Sequence, residues 1–352
     1  MKNSTITNSQ KNILNVVICF ILFIGLPTSS YSQQYRTIEA YMDDFAKNEL
    51  FVKKSFMDYS VTIVESQLYS RTKVTATRII EKLENLNNNL KNNNKGYEGN
   101  TLLRDSFLSM NQRTIDCLKN GSLILNDYDY QSTLSLPEIT KNLNQKESQL
   151  IAYYQEVKNY ENTKKMFASS FKMHFNAASG KNILKYNACQ NILFYKMNVI
   201  DEKLTSVITA KDKKGFSECM DIIALMHNEI LTKTNAYRNE YKDNSLNDAN
   251  VEYANFIAGQ KEKLSVLFNA YVDQYNTLQS LKNAKPETTE ALTAYNNAVT
   301  AFNAKKNSFY TVYNSIQSSK DKMYNSWLAT NSTFLKNNGQ FDSIYERYAF
   351  ND

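Results

Sequence analysis

The scarcity of proline and glycine is the feature that most restricts how this chain can fold. Its 352 residues include only three prolines and eight glycines, and Gly25 and Pro27 both fall within the first 33 residues. Because turns and loops depend on these two residue types, we expect few turns and long regular elements. The sequence therefore favours helices that are joined by a small number of connections.

The spacing of apolar residues between positions 33 and 95 is helical. From Ile38 to Ile63 they recur at intervals of three, four and seven residues, as one face of an α-helix requires. After the polar stretch Ser70–Arg78, the face resumes at Ile79 and continues to Leu90. We expect either one long, curved helix over this region or a break near residues 70–73.

The few residues that permit turns mark the other helix ends. The loop at 95–101, which contains Gly96 and Gly99, separates the first helical region from a helix that stops near Gly121. Ser135 and Glu138 match a capping box and predict a helix that runs to about residue 178. Further helices are expected at 183–208, 215–243, 248–282 and 287–338, with a short one near 341–349.

Packing these helices through their apolar faces predicts an all-α fold: one or two elongated antiparallel bundles with long helices and no sheet. More than about 70% of residues 33–352 should be helical. Gly180 is the best candidate for a domain boundary, which would give an N-terminal bundle at 33–180 and a C-terminal bundle at 181–352. One continuous domain is the alternative.

Residues 1–32 have the layout of a secretory signal peptide. Lys2 and Lys11 precede the apolar run Ile13–Leu26, and Ser30 and Ser32 stand at the spacing that signal peptidase accepts. As a helix, this run would span ~21 Å, which is less than the ~30 Å of a bilayer's hydrocarbon core. We therefore expect cleavage after Ser32 and an exported protein that is periplasmic, on the outer surface or secreted.

The charge distribution argues against nucleic-acid binding. The chain has 41 basic and 35 acidic residues and a net charge of +6, and this excess is spread evenly over both halves instead of forming a patch. After residue 32, no segment approaches the ~18 consecutive apolar residues of a membrane helix. We therefore expect no integral membrane span after cleavage, and a protein or another envelope component as the partner.

Three cysteines, Cys117, Cys189 and Cys219, follow the predicted cleavage site. An odd number leaves at least one thiol unpaired, so the chain is not a disulfide scaffold. The sequence leaves their pairing open, apart from one combination. If the chain forms an antiparallel helical hairpin around Lys211, Cys219 faces residue 203, which is ~21 Å along the helix from Cys189. A 189–219 disulfide is therefore not expected.

Known catalytic and metal-binding patterns are missing from the sequence. It contains no GxSxG, P-loop, GxGxxG, CxxC, HxxxH, ExxH or CxxCH pattern. His174 and His227 lie on apolar helix faces and are interpreted as core residues. Cys117 and Cys219 are interpreted as small buried hydrophobic residues. We therefore predict no catalytic, cofactor-binding or metal-binding residue, no cofactor and no enzymatic activity.

Three features between residues 35 and 180 form one pattern: the long Leu-rich helix, the loop and helix start Gly96–Asp105 (GYEGNTLLRD), and the helix that follows, to about Phe175. In this pattern the region resembles a family of uncharacterised helical surface proteins of Bacteroidetes and spirochaetes. The resemblance implies surface or periplasmic residence and a binding role, with no catalytic residue to carry over. Family members are often lipid-anchored. This chain departs from that feature, because Ile18 and not a small residue precedes Cys19.

These observations together predict an exported, non-catalytic helical protein of the cell envelope or surface. It would act in binding, in adhesion or as a structural component. One alternative is a helical toxin or pore-forming component, which requires an apolar segment that can insert into a membrane. Another is a periplasmic ligand-sensing bundle, which requires a pocket with convergent polar groups between its helices. The sequence does not indicate an oligomeric state.

Overall fold

The computed structural model of this chain describes residues 35–65, 69–122, 133–173, 182–285 and 287–338. Helices make up 88% of the structure. The described residues form no strand, and a single bridge between Tyr97 and Asn100 is their only β-like pairing. The predicted all-α fold is therefore confirmed. The signal peptide predicted at 1–32, the short helix near 341–349, His174 and Gly180 lie outside the described residues.

The described part of the chain contains nine α-helices. In chain order they are α1 (Ile38–Glu65), α2 (Tyr69–Asn93), α3 (Leu102–Ser122), α4 (Leu136–Ser170), α5 (Ile183–Ala210), α6 (Lys213–Arg238), α7 (Ser245–Gly259), α8 (Lys261–Asn283) and α9 (Thr289–Asn338). α9 alone has 50 residues and is therefore ~75 Å long. In the part of the chain that the structure describes, no helix has a stretch long and apolar enough to cross a membrane.

The loop between α2 and α3 has the turn geometry that its glycines predict. Gly96 has a φ of 87°, and a Cβ at this position would lie 2.3 Å from the carbonyl oxygen of Asn100, so a larger residue cannot replace it without rearrangement. The Asn100 side chain accepts a hydrogen bond from the Leu102 amide at 3.0 Å. This bond satisfies one free N–H at the start of α3.

The predicted capping box at the start of α4 is also present. Glu138 Oε2 accepts hydrogen bonds from the backbone N–H of Ser135 at 2.9 Å and from its hydroxyl at 2.6 Å. The helix itself is shorter than predicted. It ends at Ser170, where Lys172 adopts a left-handed φ of 56° and the Met173 N–H donates to the carbonyl of Ala168 at 2.9 Å. This closing geometry usually carries glycine, so the sequence contains no local signal for it.

Of two further boundary predictions, one stays open and one is wrong. Residues 70–73 lie within α2, but residues 66–68 lie outside the described residues, so the choice between one long helix and a break near residues 70–73 stays a prediction. The single helix predicted over 248–282 is divided at Gln260, whose N–H donates to the carbonyl of Ile257 at 3.5 Å. The division follows Gly259, a residue that weakens a helix interior by about 1 kcal/mol relative to alanine.

An N-terminal core joins α1, α2, α3 and the later part of α4. Aromatic rings form much of it, and the centroids of Phe45 and Phe107 lie 5.5 Å apart. A buried asparagine pair adds a polar contact, because Asn111 Nδ2 donates to Asn87 Oδ1 at 2.7 Å. α3 and α4 run antiparallel, and the Cys117 thiol donates to the carbonyl of Gln149 at 3.2 Å.

A C-terminal core joins α5 to α9. α9 runs antiparallel first to α8 and then to α7. Later residues of α9 therefore contact earlier residues of the region before it. The Phe302 and Tyr275 ring centroids lie 6.0 Å apart, whereas Trp327 Nε1 reaches Asn250 at 3.0 Å and Asn338 Nδ2 reaches Asp243 at 2.6 Å. The elongated antiparallel arrangement expected from the sequence is therefore present in this half.

α4 belongs to both cores. Leu136, Ile139 and Leu143 near its start are buried in the C-terminal core, whereas the residues from Tyr153 to Ala168 that face inward are buried in the N-terminal core. One helix thus connects the two apolar clusters. The domain boundary predicted at residue 180 lies beyond this helix and outside the described residues, so it stays a prediction.

α5 and α6 form the hairpin that the sequence predicted. Lys211 ends α5 with a left-handed φ of 60°, and Asp212 accepts a hydrogen bond from the Gly215 N–H at 3.0 Å to begin α6. Lys196 Nζ lies 2.7 Å from Glu229 Oε1, which fixes the predicted register. The three described cysteines are free and buried.

Candidate functional site

The centre of the C-terminal bundle is a helix segment that is buried on every side. Each residue of α5 from Tyr186 to Asp201 is buried, whereas a surface helix buries one stripe. The segment nevertheless includes amide and charged side chains. Because a buried polar group without a partner costs about 1–3 kcal/mol, the surrounding helices must supply partners for them.

One set of partners comes from α9. Asn187 Nδ2 donates to Asn331 Oδ1 at 2.6 Å, and Asn191 Nδ2 donates to Asn187 Oδ1 at 3.1 Å. All three side chains are buried. The chain of amides therefore ties the last part of α9 to the start of the central helix.

A second set comes from α7. Gln190 Nε2 donates to Asn247 Oδ1 at 2.5 Å, and Gln190 Oε1 accepts from Asn250 Nδ2 at 2.5 Å. The remaining oxygen of Asn250 accepts from Trp327 Nε1 at 3.0 Å. Asn250 thus connects three helices, and this network holds α5, α7 and α9 in one register.

A half-buried ionic cluster lies further along α5. Lys196 Nζ contacts Glu147 of α4 at 2.5 Å and Glu229 of α6 at 2.7 Å, and Lys233 contacts the same two carboxylates. Burial opposes the charge on Glu147, but hydrogen bonds from the two lysines hold its pKa below the ordinary value. Two cations and two carboxylates balance, so the cluster stabilises the contact between α4 and the α5–α6 hairpin.

Lys146, next to this cluster, is in a different environment. Its side chain is buried, and Nζ lies 4.4 Å from the centroid of the Tyr195 ring. Burial lowers the pKa of Lys146 to about 7, because transfer from water penalises the charged form. A lysine with this pKa changes its charge near neutral pH.

The lowered pKa of Lys146 predicts a pH dependence of stability. Between pH 7 and about 10 the unfolded chain binds a proton at this lysine that the folded chain releases, so stability should rise with pH in this window. The gain cannot exceed about 1.4 kcal/mol per pH unit. Urea unfolding measures the free energy of unfolding of the natural protein and of Lys146→Met at pH 7, 8 and 9. As the pH rises, the natural protein should become more stable relative to the variant. A constant difference would contradict the prediction.

A surface pocket lies beside the amide network, between α7 and α9. Its volume is about 220 Å³, and it is lined by Ala249, Glu252, Tyr253, Lys322, Met323, Ser326 and Trp327. Tyr253 and Trp327 are buried and form its floor, whereas Glu252, Lys322 and Ser326 are exposed and form its rim. The pocket therefore combines an aromatic floor with a polar and charged edge.

The floor of this pocket is fixed from below. The Trp327 ring stacks on Phe194 of the central helix, with centroids 4.0 Å apart and an interplanar angle of 8°. The Tyr253 hydroxyl donates to Asn198 Oδ1 at 2.6 Å. Both rings thus direct their hydrogen-bonding groups into the core and lie buried beneath the pocket.

The histidine interpretation needs one correction. His227 is only half-buried, and its Nε2 lies 2.7 Å from Asn255 Oδ1 at the surface of α6 and α7. It is therefore not a core residue. Ile223 and Ile230, its apolar neighbours in the sequence, are buried, so His227 lies at the border of their face. Within the described residues, no group of three metal-ligating side chains comes together.

The cysteines are buried hydrophobic residues, as expected. Burial raises the pKa of Cys117 and of Cys219 to about 12 in each case, and it also raises the pKa of Cys189. A raised pKa leaves almost no thiolate at neutral pH, and the thiolate is the reactive form. These thiols therefore contribute packing and not nucleophilic chemistry.

No family model, curated protein or solved structure matches this chain at a significant level. The resemblance of residues 35–180 to helical surface proteins of Bacteroidetes and spirochaetes stays a prediction.

Proposed function

We propose that this chain is an exported, non-catalytic helical protein of the cell envelope or surface that acts by binding a partner or as a structural component. This proposal is supported by the surroundings of three lysines and of the cysteine thiols in the helical cores. Lys164, Lys196 and Lys320 all pair with carboxylates on other helices, and the described thiols are buried. These three lysines and the thiols therefore serve helix packing.

Export is the first part of the proposal to test. It rests on the order of positive, apolar and small residues in positions 1–32. N-terminal sequencing of the protein purified from its own host should find a mature end at Gln33, within two residues. An intact Met1 on protein recovered from the cytoplasm would contradict export.

The binding role is tested by crosslinking the protein to its neighbours in intact cells, followed by fractionation. We expect adducts with an envelope or surface component. A chain from which residues 2–32 are deleted is the matched control, because it should stay in the cytoplasm and lose those adducts. Recovery of the full-length protein without any envelope adduct would count against a binding role.

The pocket between α7 and α9 favours a second candidate function, that of a ligand-sensing bundle. Glu252, Lys322 and Ser326 converge on the edge of an aromatic floor, which is the combination expected of a small-molecule site. The same pocket is compatible with residence in the envelope, where a soluble ligand can reach it.

A further inference from the structure

The rim of the pocket carries two opposite charges on different helices. Glu252 is an exposed residue of α7, and Lys322 is an exposed residue of α9. Within the described part of the chain, neither side chain takes part in an ion pair or hydrogen bond. A carboxylate and an ammonium are therefore available at the edge of one small cavity.

Two other charged contacts of the C-terminal bundle are ion pairs between helices. Lys213 of α6 contacts Asp273 of α8 at 2.7 Å, and Arg238 of α6 contacts Asp248 of α7. Glu252 lies one turn beyond Asp248 on the same helix. Among the described residues, Glu252 has no such ion-pair partner, unlike Asp248, and it lines the cavity together with Lys322.

The cavity also restricts the size and the polarity of what it can hold. Its volume of about 220 Å³ is below the ~300 Å³ at which pockets for drug-sized molecules begin. Half-buried Met323 offers an apolar surface above the buried rings of Tyr253 and Trp327, and Ser326 offers a hydroxyl at the rim. An inorganic ion bound in the pocket would leave this apolar surface in contact with water. An uncharged hydrocarbon would make no ionic contact with Glu252 or Lys322.

We propose that this pocket binds a small zwitterion with an apolar body, of the kind represented by a free aliphatic α-amino acid. The ammonium group of the ligand lies towards Glu252, its carboxylate lies towards Lys322 and Ser326, and its side chain rests on Met323, above the buried Trp327. The inference rests on the second candidate function, the ligand-sensing bundle.

Trp327 supplies the measurement, because it is the only tryptophan of the chain and lines the pocket. Titration of the purified mature protein with L-leucine should give a saturable change in tryptophan fluorescence. N-acetyl-L-leucine, which lacks the cation, and L-leucinamide, which lacks the carboxylate, should each bind at least about tenfold more weakly, since each loses a hydrogen bond to a charged group.

Two variants assign the charges. Glu252→Gln should weaken the binding of L-leucine about tenfold and remove the preference over N-acetyl-L-leucine, whereas Lys322→Gln should remove the preference over L-leucinamide. Glu290→Gln and Lys305→Gln are matched controls, because they neutralise exposed charges of α9 outside the pocket and should bind L-leucine unchanged. Circular dichroism checks that each variant stays folded.

The proposal is overturned if none of L-leucine, L-valine and L-phenylalanine binds at 10 mM (about the weakest binding worth assigning to a site). It is also overturned if the two rim variants bind L-leucine as well as the controls do. Either result leaves the export and crosslinking experiments unaffected, so failure of this ligand class is distinguishable from failure of the proposed envelope role.

Discussion

Replacing Lys164 by methionine should lower the free energy of unfolding by about 3–5 kcal/mol. Lys164 Nζ of α4 donates to both carboxylate oxygens of Glu49 of α1, at 2.8 and 2.7 Å, and the Glu49 side chain is only 2% exposed. Removal of the lysine leaves this carboxylate buried beside a more exposed cation, Lys53, at 3.7 Å. Urea unfolding followed by circular dichroism measures the loss.

Two variants show whether the loss comes from the unpaired carboxylate. Lys158→Met changes an exposed lysine of the same helix and should alter stability by less than about 0.5 kcal/mol. The double variant Lys164→Met with Glu49→Leu removes both charges and should recover most of the loss, because apolar replacements of a whole buried ion pair are often neutral. A double variant as unstable as Lys164→Met would show that the ion pair is not the cause.

Replacing Asn250 by alanine should lower the free energy of unfolding by about 2–5 kcal/mol. This is the second largest effect that we predict. The substitution leaves Trp327 Nε1 and Gln190 Oε1 without the partners that they have at 3.0 and 2.5 Å. Each buried group that loses its partner costs about 1–3 kcal/mol. Urea unfolding measures the loss, and tryptophan emission of the folded protein should shift because Trp327 loses its bond to the network.

Asn255→Ala is the matched control for this prediction. Asn255 lies on the same helix but at the surface, where its side-chain oxygen meets His227 at 2.7 Å. Since water can replace that contact, the loss should stay below about 1 kcal/mol. If Asn250→Ala and Asn255→Ala lost equal stability, the burial of Asn250 would not be the source of its contribution to the free energy of unfolding.

The sequence predicts the ends of the helices where a local signal exists. The two helices of the central hairpin are capped by Asn182, Lys211 and Asp212, each of which makes hydrogen bonds to residues close to it in the chain. Local chemistry of this kind can be recognised in a single sequence. The end of α4 has no such signal, because Lys172 occupies a conformation that glycine usually adopts. The predicted end near residue 178 therefore lies beyond the observed end at Ser170.

The burial of α5 could not be predicted from its residues. Asn187, Gln190 and Lys196 are residue types that usually lie at the surface, and their partners stand 144, 57 and 33 residues away along the chain. The sequence shows polar interruptions in an apolar run, whereas the structure shows polar contacts in a core. Only the packing of distant helices distinguishes the two.

The pocket could not be predicted for the same reason. Glu252 and Lys322 are single charges on two helices, 70 positions apart in the numbering, and nothing in either local pattern sets them apart from solvated residues. Trp327 does stand out as the chain's only tryptophan, and this was the one available signal for the position.

α4 has a consequence for the order in which the protein assembles. A chain synthesised from its N-terminus completes α1 to α4 before the last five helices exist. The N-terminal core can then form early, while Leu136, Ile139 and Leu143 of α4 still lack the partners that bury them later. This strip and Glu147 beside it become covered only when the central hairpin is present, because Lys196 of that hairpin is the residue that contacts Glu147.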